Sequence, residues 1–77
     1  MDEFARLVNN ELCVVRTHHT QNMVSLHEAY AVILEEVDEL WDEARKKNRD
    51  RKDEDVLTEL VQIAAMCQRA AEDLNLV

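Results

Sequence analysis

Neither glycine nor proline occurs anywhere in this chain of 77 residues. Tight β-hairpin turns usually need glycine, asparagine or aspartate at backbone angles that other residues avoid. Glycine and proline are also the strongest breaks between short elements. Alanine, leucine, glutamate and the other residues that favour helices dominate instead. The chain is therefore predicted to be all-α, and an all-β fold is disfavoured.

The length is sufficient for one domain, which we expect to span residues 1–77. A chain this short buries only about 60% of the surface that it exposes when unfolded, so it usually needs a disulfide, a metal or association to be stable. Aliphatic side chains must fill the core, because Phe4, Tyr30 and Trp41 are the only aromatic residues.

Apolar periodicity predicts three amphipathic helices, over about residues 2–16, 25–47 and 53–74. Asp2 is a suitable N-cap for the first helix. Ser25 and Glu28 match the capping box, in which each side chain accepts a hydrogen bond from a free backbone amide of the first turn. Residues 45–55 are a charged run without apolar periodicity and are expected to form an exposed connection.

The two longer helices have wide apolar faces. In the second helix the face follows Leu26, Tyr30, Ile33, Val37, Leu40 and Ala44, and in the third it follows Val56, Leu60, Ile63, Cys67, Ala71 and Leu74. A single partner helix would not cover either face. We therefore expect a small helical bundle protomer with two long antiparallel amphipathic helices, completed by homo-oligomerisation into a homodimer or homotetramer.

A net charge of −8 excludes several partners. Nucleic acids and anionic membranes are bound by clustered lysine and arginine, which acids dilute here. The first residues lack the basic region of a signal peptide, and no apolar run reaches transmembrane length. Cys13 and Cys67 are far apart in sequence and form no CxxC motif, which is typical of a reducing compartment. The expected location is cytoplasmic.

Acidic side chains border the apolar faces at helical spacing. Glu36 and Glu39 lie one turn apart on one side of the second helix, and Glu59 and Gln62 do the same on the third. If these two borders face each other, Glu36, Glu39 and Glu59 converge at the rim of the core. Converged carboxylates repel one another unless protonation or a cation relieves the repulsion.

Oxygen-only ligands favour Mg²⁺ or Mn²⁺, and Mg²⁺ often takes substrate phosphates as further ligands. The alternative is a solvated helix face, because glutamate is common on exposed helices and this chain has many acidic residues. Spacing alone leaves both interpretations open.

Two motifs resemble those of a known family. Residues 35–39 read Glu-Glu-Val-Asp-Glu, an EExxE motif, and residues 59–62 read Glu-Leu-Val-Gln after a charged connection. This arrangement is similar to that of the MazG-like all-α nucleotide pyrophosphohydrolases, which carry EExxE followed by ExxD on a second helix. The resemblance covers roughly residues 25–74.

The resemblance implies an enzyme that converts a (deoxy)nucleoside triphosphate to the monophosphate and pyrophosphate. It implies that Glu36, Glu39 and Glu59 hold Mg²⁺ (Mn²⁺ being possible in its place), with Gln62 as a weaker fourth ligand, and that Glu35 is a catalytic residue positioning a ligand or water. Gln62 stands where the family has aspartate. This departure keeps an alternative open: a non-enzymatic helical module that binds a nucleotide or a protein and has lost full metal ligation.

Overall fold

The structure is a computed structural model that describes residues 2–77. It contains α1 (Glu3–His18), α2 (Leu26–Ala44), a short 3-10 helix (Asn48–Asp50) and α3 (Asp53–Asp73). No strand is present in the described residues, so the predicted all-α class is confirmed. No helix within this part of the chain has the length and apolar character needed to cross a bilayer.

The predicted N-caps are present. The Asp2 carboxylate accepts a hydrogen bond from the Ala5 backbone N–H at 2.7 Å, and the Ser25 hydroxyl accepts one from the Glu28 N–H at 3.0 Å. The reciprocal bond of the capping box differs from the prediction, because the Glu28 carboxylate accepts from the Val24 N–H at 2.7 Å and not from Ser25. The capping contacts therefore include Val24, one residue before Ser25, and fix the backbone that leads into α2.

Helix α2 ends earlier than predicted, at Ala44 rather than near Lys47. The charged run has no apolar side chain to pack on the core, and packing is what stabilises most helices in proteins. The helix end is stabilised by Arg51, which donates a hydrogen bond to the Ala44 carbonyl at 3.1 Å. Residues 45–52 then connect α2 to α3 and are largely exposed, as predicted.

Helices α1 and α2 both pack on α3. The buried core between them is small and aliphatic, and its members are Val8, Leu12, Met23, Ala29, Val61, Ala65, Met66 and Ala70. Among the described residues, α1 and α2 have no backbone contacts with each other. Helix α3 therefore forms the floor between the other two helices.

The buried face of α3 is rotated from the predicted one. Leu60 is 42% exposed and Cys67 is also exposed, although both were predicted to lie on the central seam. Val61 and Ala65, on a different side of the helix, are buried instead. The reason is that α3 contacts two neighbours, so its buried arc is the one that α1 and α2 share.

Most of the predicted apolar face of α2 is open in the single chain. Ala29 is the only residue of α2 that is buried. Large side chains along one side of the helix are exposed by 41–70%, namely Leu26, Tyr30, Leu34, Val37 and Trp41. We call these five residues the α2 stripe. The protomer therefore covers only part of the apolar surface that its sequence encodes.

A buried carboxylate ties the segment between α1 and α2 to the end of α3. The Asp73 side chain is 2% exposed and accepts hydrogen bonds from the Met23 backbone N–H at 2.8 Å and from Arg16 at 3.0 Å. Arg69, one turn earlier on α3, lies 3.5 Å from the same carboxylate. Burial alone would raise the pKa of Asp73, but the Met23 amide and Arg16 outweigh it and hold that pKa below its usual range.

Candidate metal centre

The fold brings together three of the predicted site residues. Glu36 and Glu39 extend from consecutive turns of α2, and Glu59 extends from α3 beside them. One carboxylate oxygen from each lies within 4.8 Å of the others. The packing of α2 on α3 therefore makes the two acidic borders face each other.

Gln62 completes the group, three residues after Glu59. With its amide nitrogen facing the carboxylates, Gln62 donates hydrogen bonds to Glu36 at 3.0 Å and to Glu59 at 3.2 Å. The side chain thus bridges the two helices. Because an amide offers donors at one end and an acceptor at the other, rotating it would present its oxygen to a cation instead.

Glu35 is placed differently from the other acids of its motif. Its side chain is exposed and is not one of the three that converge. It lines the groove next to Glu36, on the side that faces α1. The structure therefore places Glu35 beside the carboxylate group and not within it.

The electrostatics of the group are those of crowded like charges. Burial raises the pKa of Glu36 to about 7, and the neighbouring charges of Glu39, Glu59 and Glu35 add to this rise. Burial and the nearby Glu39 also raise the pKa of Glu59. Within residues 2–77, no basic side chain forms an ion pair with these carboxylates.

The nearby basic residues are engaged elsewhere. Arg45 pairs with Asp42 at 3.1 Å, and Lys46 pairs with Glu43 at 2.9 Å. Neither contact involves the three converged carboxylates. Within the described residues, the Gln62 amide is therefore the donor that faces the negative charge of the group, and a cation would compensate that charge more completely.

The donor set fits a small hard cation. Two oxygens bound to one Mg²⁺ at about 2.1 Å lie at most about 4.2 Å apart. The observed limit of 4.8 Å is close enough for small side-chain rotations to bring the oxygens within that range. All donors are oxygens, which Mg²⁺ and Mn²⁺ prefer over softer ligands.

A groove adjoins the carboxylate group. It has α3 as its floor and α1 and α2 as its walls, and it encloses a cavity of about 290 Å³. Glu36 and Gln62 lie at its border, and Arg69 and His19 also line it. A second cavity of about 340 Å³ lies under residues 18–22 and shares Arg69, His19 and Glu28 with the first. The two cavities are therefore neighbours on either side of Arg69.

Arg69 and Asp73 were missed by the sequence analysis. Arg69 is buried although it is charged, and Asp73 is its buried partner. Their spacing of four residues is a recognisable helical pair, but such pairs are common on exposed faces. Only the packing of the segment between α1 and α2 on this face reveals that they are buried.

Comparison with models of known protein families, with curated proteins and with solved structures finds no match.

Proposed function

We propose that this protein is a Mg²⁺-dependent nucleotide pyrophosphohydrolase that converts a (deoxy)nucleoside triphosphate to its monophosphate and pyrophosphate. The observation that carries the proposal is the approach of Glu36, Glu39 and Glu59 to within 4.8 Å of one another, without a basic partner among the described residues. The same residues are the acids of the EExxE and ExxQ motifs, which resemble those of MazG-like enzymes.

Each residue of the site has a distinct role in this proposal. Glu36, Glu39 and Glu59 supply the carboxylate oxygens for the ion. Without an ion, Gln62 holds Glu36 and Glu59 in place through its amide nitrogen. After rotation of the amide, its oxygen would serve as a weak ligand of the ion. An ion held by these residues would neutralise phosphate charge and lower the pKa of a water molecule. Glu35, on the wall of the groove, orients water or ligand.

The raised pKa of Glu36 links ion binding to pH. A carboxylate must lose its proton to bind a divalent cation, and the pKa of Glu36 is about 7 before an ion is bound. Affinity for Mg²⁺ should therefore increase between pH 6 and pH 8. A bound divalent cation would favour the ionised form of Glu36 and so lower its pKa.

The open surface supports self-association. The chain has an accessible surface of 5658 Å², whereas a compact monomer of 9.0 kDa is expected to expose about 4,900 Å². The excess of about 800 Å² is similar in size to one partner's share of a standard interface. We propose that the α2 stripe packs on further copies of the chain, forming a homodimer or homotetramer.

The arrangement of the two long helices is part of the same proposal. Gln62 contacts Glu36, while Glu59, earlier on α3, approaches Glu39, later on α2. This order is what antiparallel helices would produce. Antiparallel pairing places the EExxE motif directly against the residues of the second motif.

One observation favours a second candidate, a helical module that binds a nucleotide or a protein without hydrolysing it. Gln62 already donates to Glu36 and Glu59, so part of the repulsion is relieved without a metal. A fourth carboxylate at this position would have strengthened ion binding, because ligand charge sets affinity. The two candidates differ in whether the folded chain binds Mg²⁺ tightly enough to act.

The deciding experiment measures pyrophosphate release from a panel of ribo- and deoxynucleoside triphosphates, with and without Mg²⁺. The wild type should release pyrophosphate only with Mg²⁺ or Mn²⁺. Glu59→Gln should reduce the rate by about a hundredfold, because even the loss of a residue that only orients a metal ligand costs about 10–100-fold. Glu54→Gln is the matched control, since Glu54 is an exposed glutamate of the same helix and should retain full activity.

Thermal melting in the presence of Mn²⁺ separates the two candidates. A ligand that binds only the folded state raises the melting temperature. A melt unchanged by millimolar Mg²⁺ or Mn²⁺, together with no pyrophosphate release, would leave the non-enzymatic module as the better proposal. Activity in Glu59→Gln equal to that of the wild type would show that the metal ligands are assigned wrongly.

A further inference from the structure

The groove beside the carboxylate group contains a charged side chain that the proposed hydrolysis does not use. Arg69 lines both cavities, and its side chain is only 10% exposed. Among residues 2–77 its one hydrogen bond is from Nη2 to the Gln21 carbonyl at 3.2 Å. Its Nε is buried and has no hydrogen-bond partner, although Asp73 lies 3.5 Å away. Nε therefore faces Asp73, and the Nη donors other than the one bonded to Gln21 have no hydrogen-bond acceptor among residues 2–77.

The other lining residues indicate what kind of ligand these donors would meet. The cavity between α1 and α2 is also lined by the carboxylates of Glu11, Glu28 and Glu35. Together with Glu36, four carboxylates and one guanidinium line this cavity. This excess of negative charge disfavours a phosphate at this position, because like charges repel. A neutral ligand that both donates and accepts hydrogen bonds avoids this repulsion.

Apolar side chains provide surfaces between the polar ones. Val15 from α1, Val32 from α2 and Met66 from α3 line the same cavity. Aliphatic side chains and methionine pack well on flat rings, and small-molecule sites typically combine apolar walls with a few polar groups. The cavity volume of about 290 Å³ is at the lower end of such sites, as suits a single heterocycle.

We infer that this cavity binds the base of a guanine nucleoside, an inference that rests on the proposed nucleotide site and identifies its substrate class. Guanine carries two neighbouring acceptors, O6 and N7, that match an arginine fork. It also carries N1–H and N2–H donors, which a carboxylate accepts. Adenine has an amino group in place of O6, so it would set a donor against the donors of Arg69.

Glu11 is the carboxylate assigned to the donor edge of guanine. It is partly buried on α1 and lines the cavity, and within the described residues its side chain has no hydrogen bond or ion pair with the protein. Glu28 is less available, because its carboxylate already accepts from the Val24 amide. Arg69 on α3 and Glu11 on α1 would form hydrogen bonds with opposite edges of the ring.

The axial position of Arg69 agrees with a nucleotide laid along the groove. Arg69 is seven residues beyond Gln62 on α3, which is about 10 Å at 1.5 Å per residue. This is close to the distance between the base and the outer phosphates of an extended nucleotide. The phosphates would then reach the carboxylate group while the base lies against Arg69.

The test uses nucleosides, which have no phosphate, and buffer with EDTA, so it does not depend on metal binding or hydrolysis. Guanosine, adenosine and inosine are titrated into the full chain by calorimetry. Guanosine should bind with a Kd of about 1 mM or tighter, and adenosine at least about tenfold more weakly. Inosine, which lacks the N2 amino group, should lie between them.

Two variants examine the assigned contacts. Arg69→Lys should remove the preference for guanosine over adenosine. Because Arg69 is buried and its replacement also affects stability, Glu11→Gln is the second variant. It should weaken guanosine binding about tenfold. Glu54→Gln is the control and should bind as the wild type does.

The outcomes separate this inference from the proposed hydrolysis. Equal affinity for guanosine and adenosine, no binding of either at millimolar concentration, or unchanged binding by Glu11→Gln would overturn the guanine assignment even if Mg²⁺-dependent hydrolysis is found. Guanosine-selective binding together with no pyrophosphate release would support the assignment and reject the hydrolase.

Discussion

The side-chain amide of Gln62 donates to the Glu36 carboxylate at 3.0 Å, across the interface between α3 and α2. A neutral residue thus occupies the position from which a fourth carboxylate would face the other three. The contact stabilises the group without a metal and limits its negative charge. Replacing this one residue separates the two effects.

Gln62→Asp should increase the affinity for a divalent cation and lower the folding stability of the metal-free protein. The additional carboxylate increases ligand charge, so the affinity for Mn²⁺ should increase by about tenfold. In EDTA at pH 8 the melting temperature should fall, because a hydrogen-bond donor is replaced by a like charge. Calorimetry with Mn²⁺ and thermal melting by circular dichroism measure the two effects.

Gln68→Asp is the control for this change, since it adds the same charge to the same helix outside the carboxylate group. It should leave Mn²⁺ affinity unchanged. If both variants raise the affinity equally, net charge is responsible and Gln62 does not face the ion.

The raised pKa of Glu36 makes folding stability depend on pH. The pKa of Glu36 is about 7 in the folded chain, against 4.5 for an unperturbed glutamate. Between these values the folded state holds a proton that the unfolded chain releases, so stability should fall as the pH rises from 4.5 to 7. Glu36→Gln should therefore stabilise the metal-free protein at pH 8, by on the order of 1–2 kcal/mol after screening by water.

Urea unfolding in EDTA at pH 5 and pH 8 measures this difference. Asp38→Asn is the control, because Asp38 is exposed on the same helix and is not among the converged carboxylates. A constant difference between Glu36→Gln and the wild type over this pH range would contradict the raised pKa.

Asp73 should be among the most important polar residues for stability. Asp73→Ala leaves the buried Arg69 charge without its carboxylate and removes the acceptor of the Met23 amide. Loss of one partner from a buried ion pair typically costs about 3–5 kcal/mol. Glu72→Gln changes only exposed contacts, the ion pair with Arg16 and the hydrogen bond from Gln68, and should cost less than about 1 kcal/mol.

The pH profile gives a second check on Asp73. Its folded-state pKa is held below the usual 3.8, so its contribution is complete above that value and disappears as the pH falls below it. The wild type should lose stability in this acidic range, and Asp73→Asn should lose less. Urea midpoints for the two proteins between pH 5 and pH 2.5 test this; parallel profiles would contradict the assigned role.

The α2 stripe should control association. Leu34 is 41% exposed in the single chain, and Leu34→Lys would place a charge within the proposed interface. The wild type should sediment as a dimer or larger species, and the variant should sediment as a monomer with unchanged helix content. Analytical ultracentrifugation across micromolar concentrations measures both.

Val24→Lys is the matched control, because Val24 is 85% exposed and precedes the helix. It should associate as the wild type does. A monomeric wild type over the whole concentration range would reject self-association through the α2 stripe.

The sequence alone was sufficient to predict the local structure. The absence of glycine and proline, the apolar periodicity and the Ser25 cap predicted three helices in nearly their observed positions. These signals depend on residues close together in the chain. The C-terminal end of α2 was predicted three residues beyond its observed position, because the sequence pattern does not show where the helix stops packing on its neighbours.

The acidic borders of α2 and α3 were also predictable, since side chains three residues apart share one side of a helix. The sequence did not predict that these two borders face each other, with carboxylate oxygens within 4.8 Å. It depends on the rotation of one helix against the other, which distant residues determine.

The sequence by itself determined which residues form helices, how those helices begin, and which acids lie along one edge of each. Only the tertiary structure decided that α3 buries Val61 and Ala65 in place of Leu60 and Cys67, and that Arg69 and Asp73 are buried together. The physical reason is that residues close together in sequence determine whether a helix forms, but not which of its sides is buried. The neighbours that pack on it, α1 and α2 here, select which face leaves water.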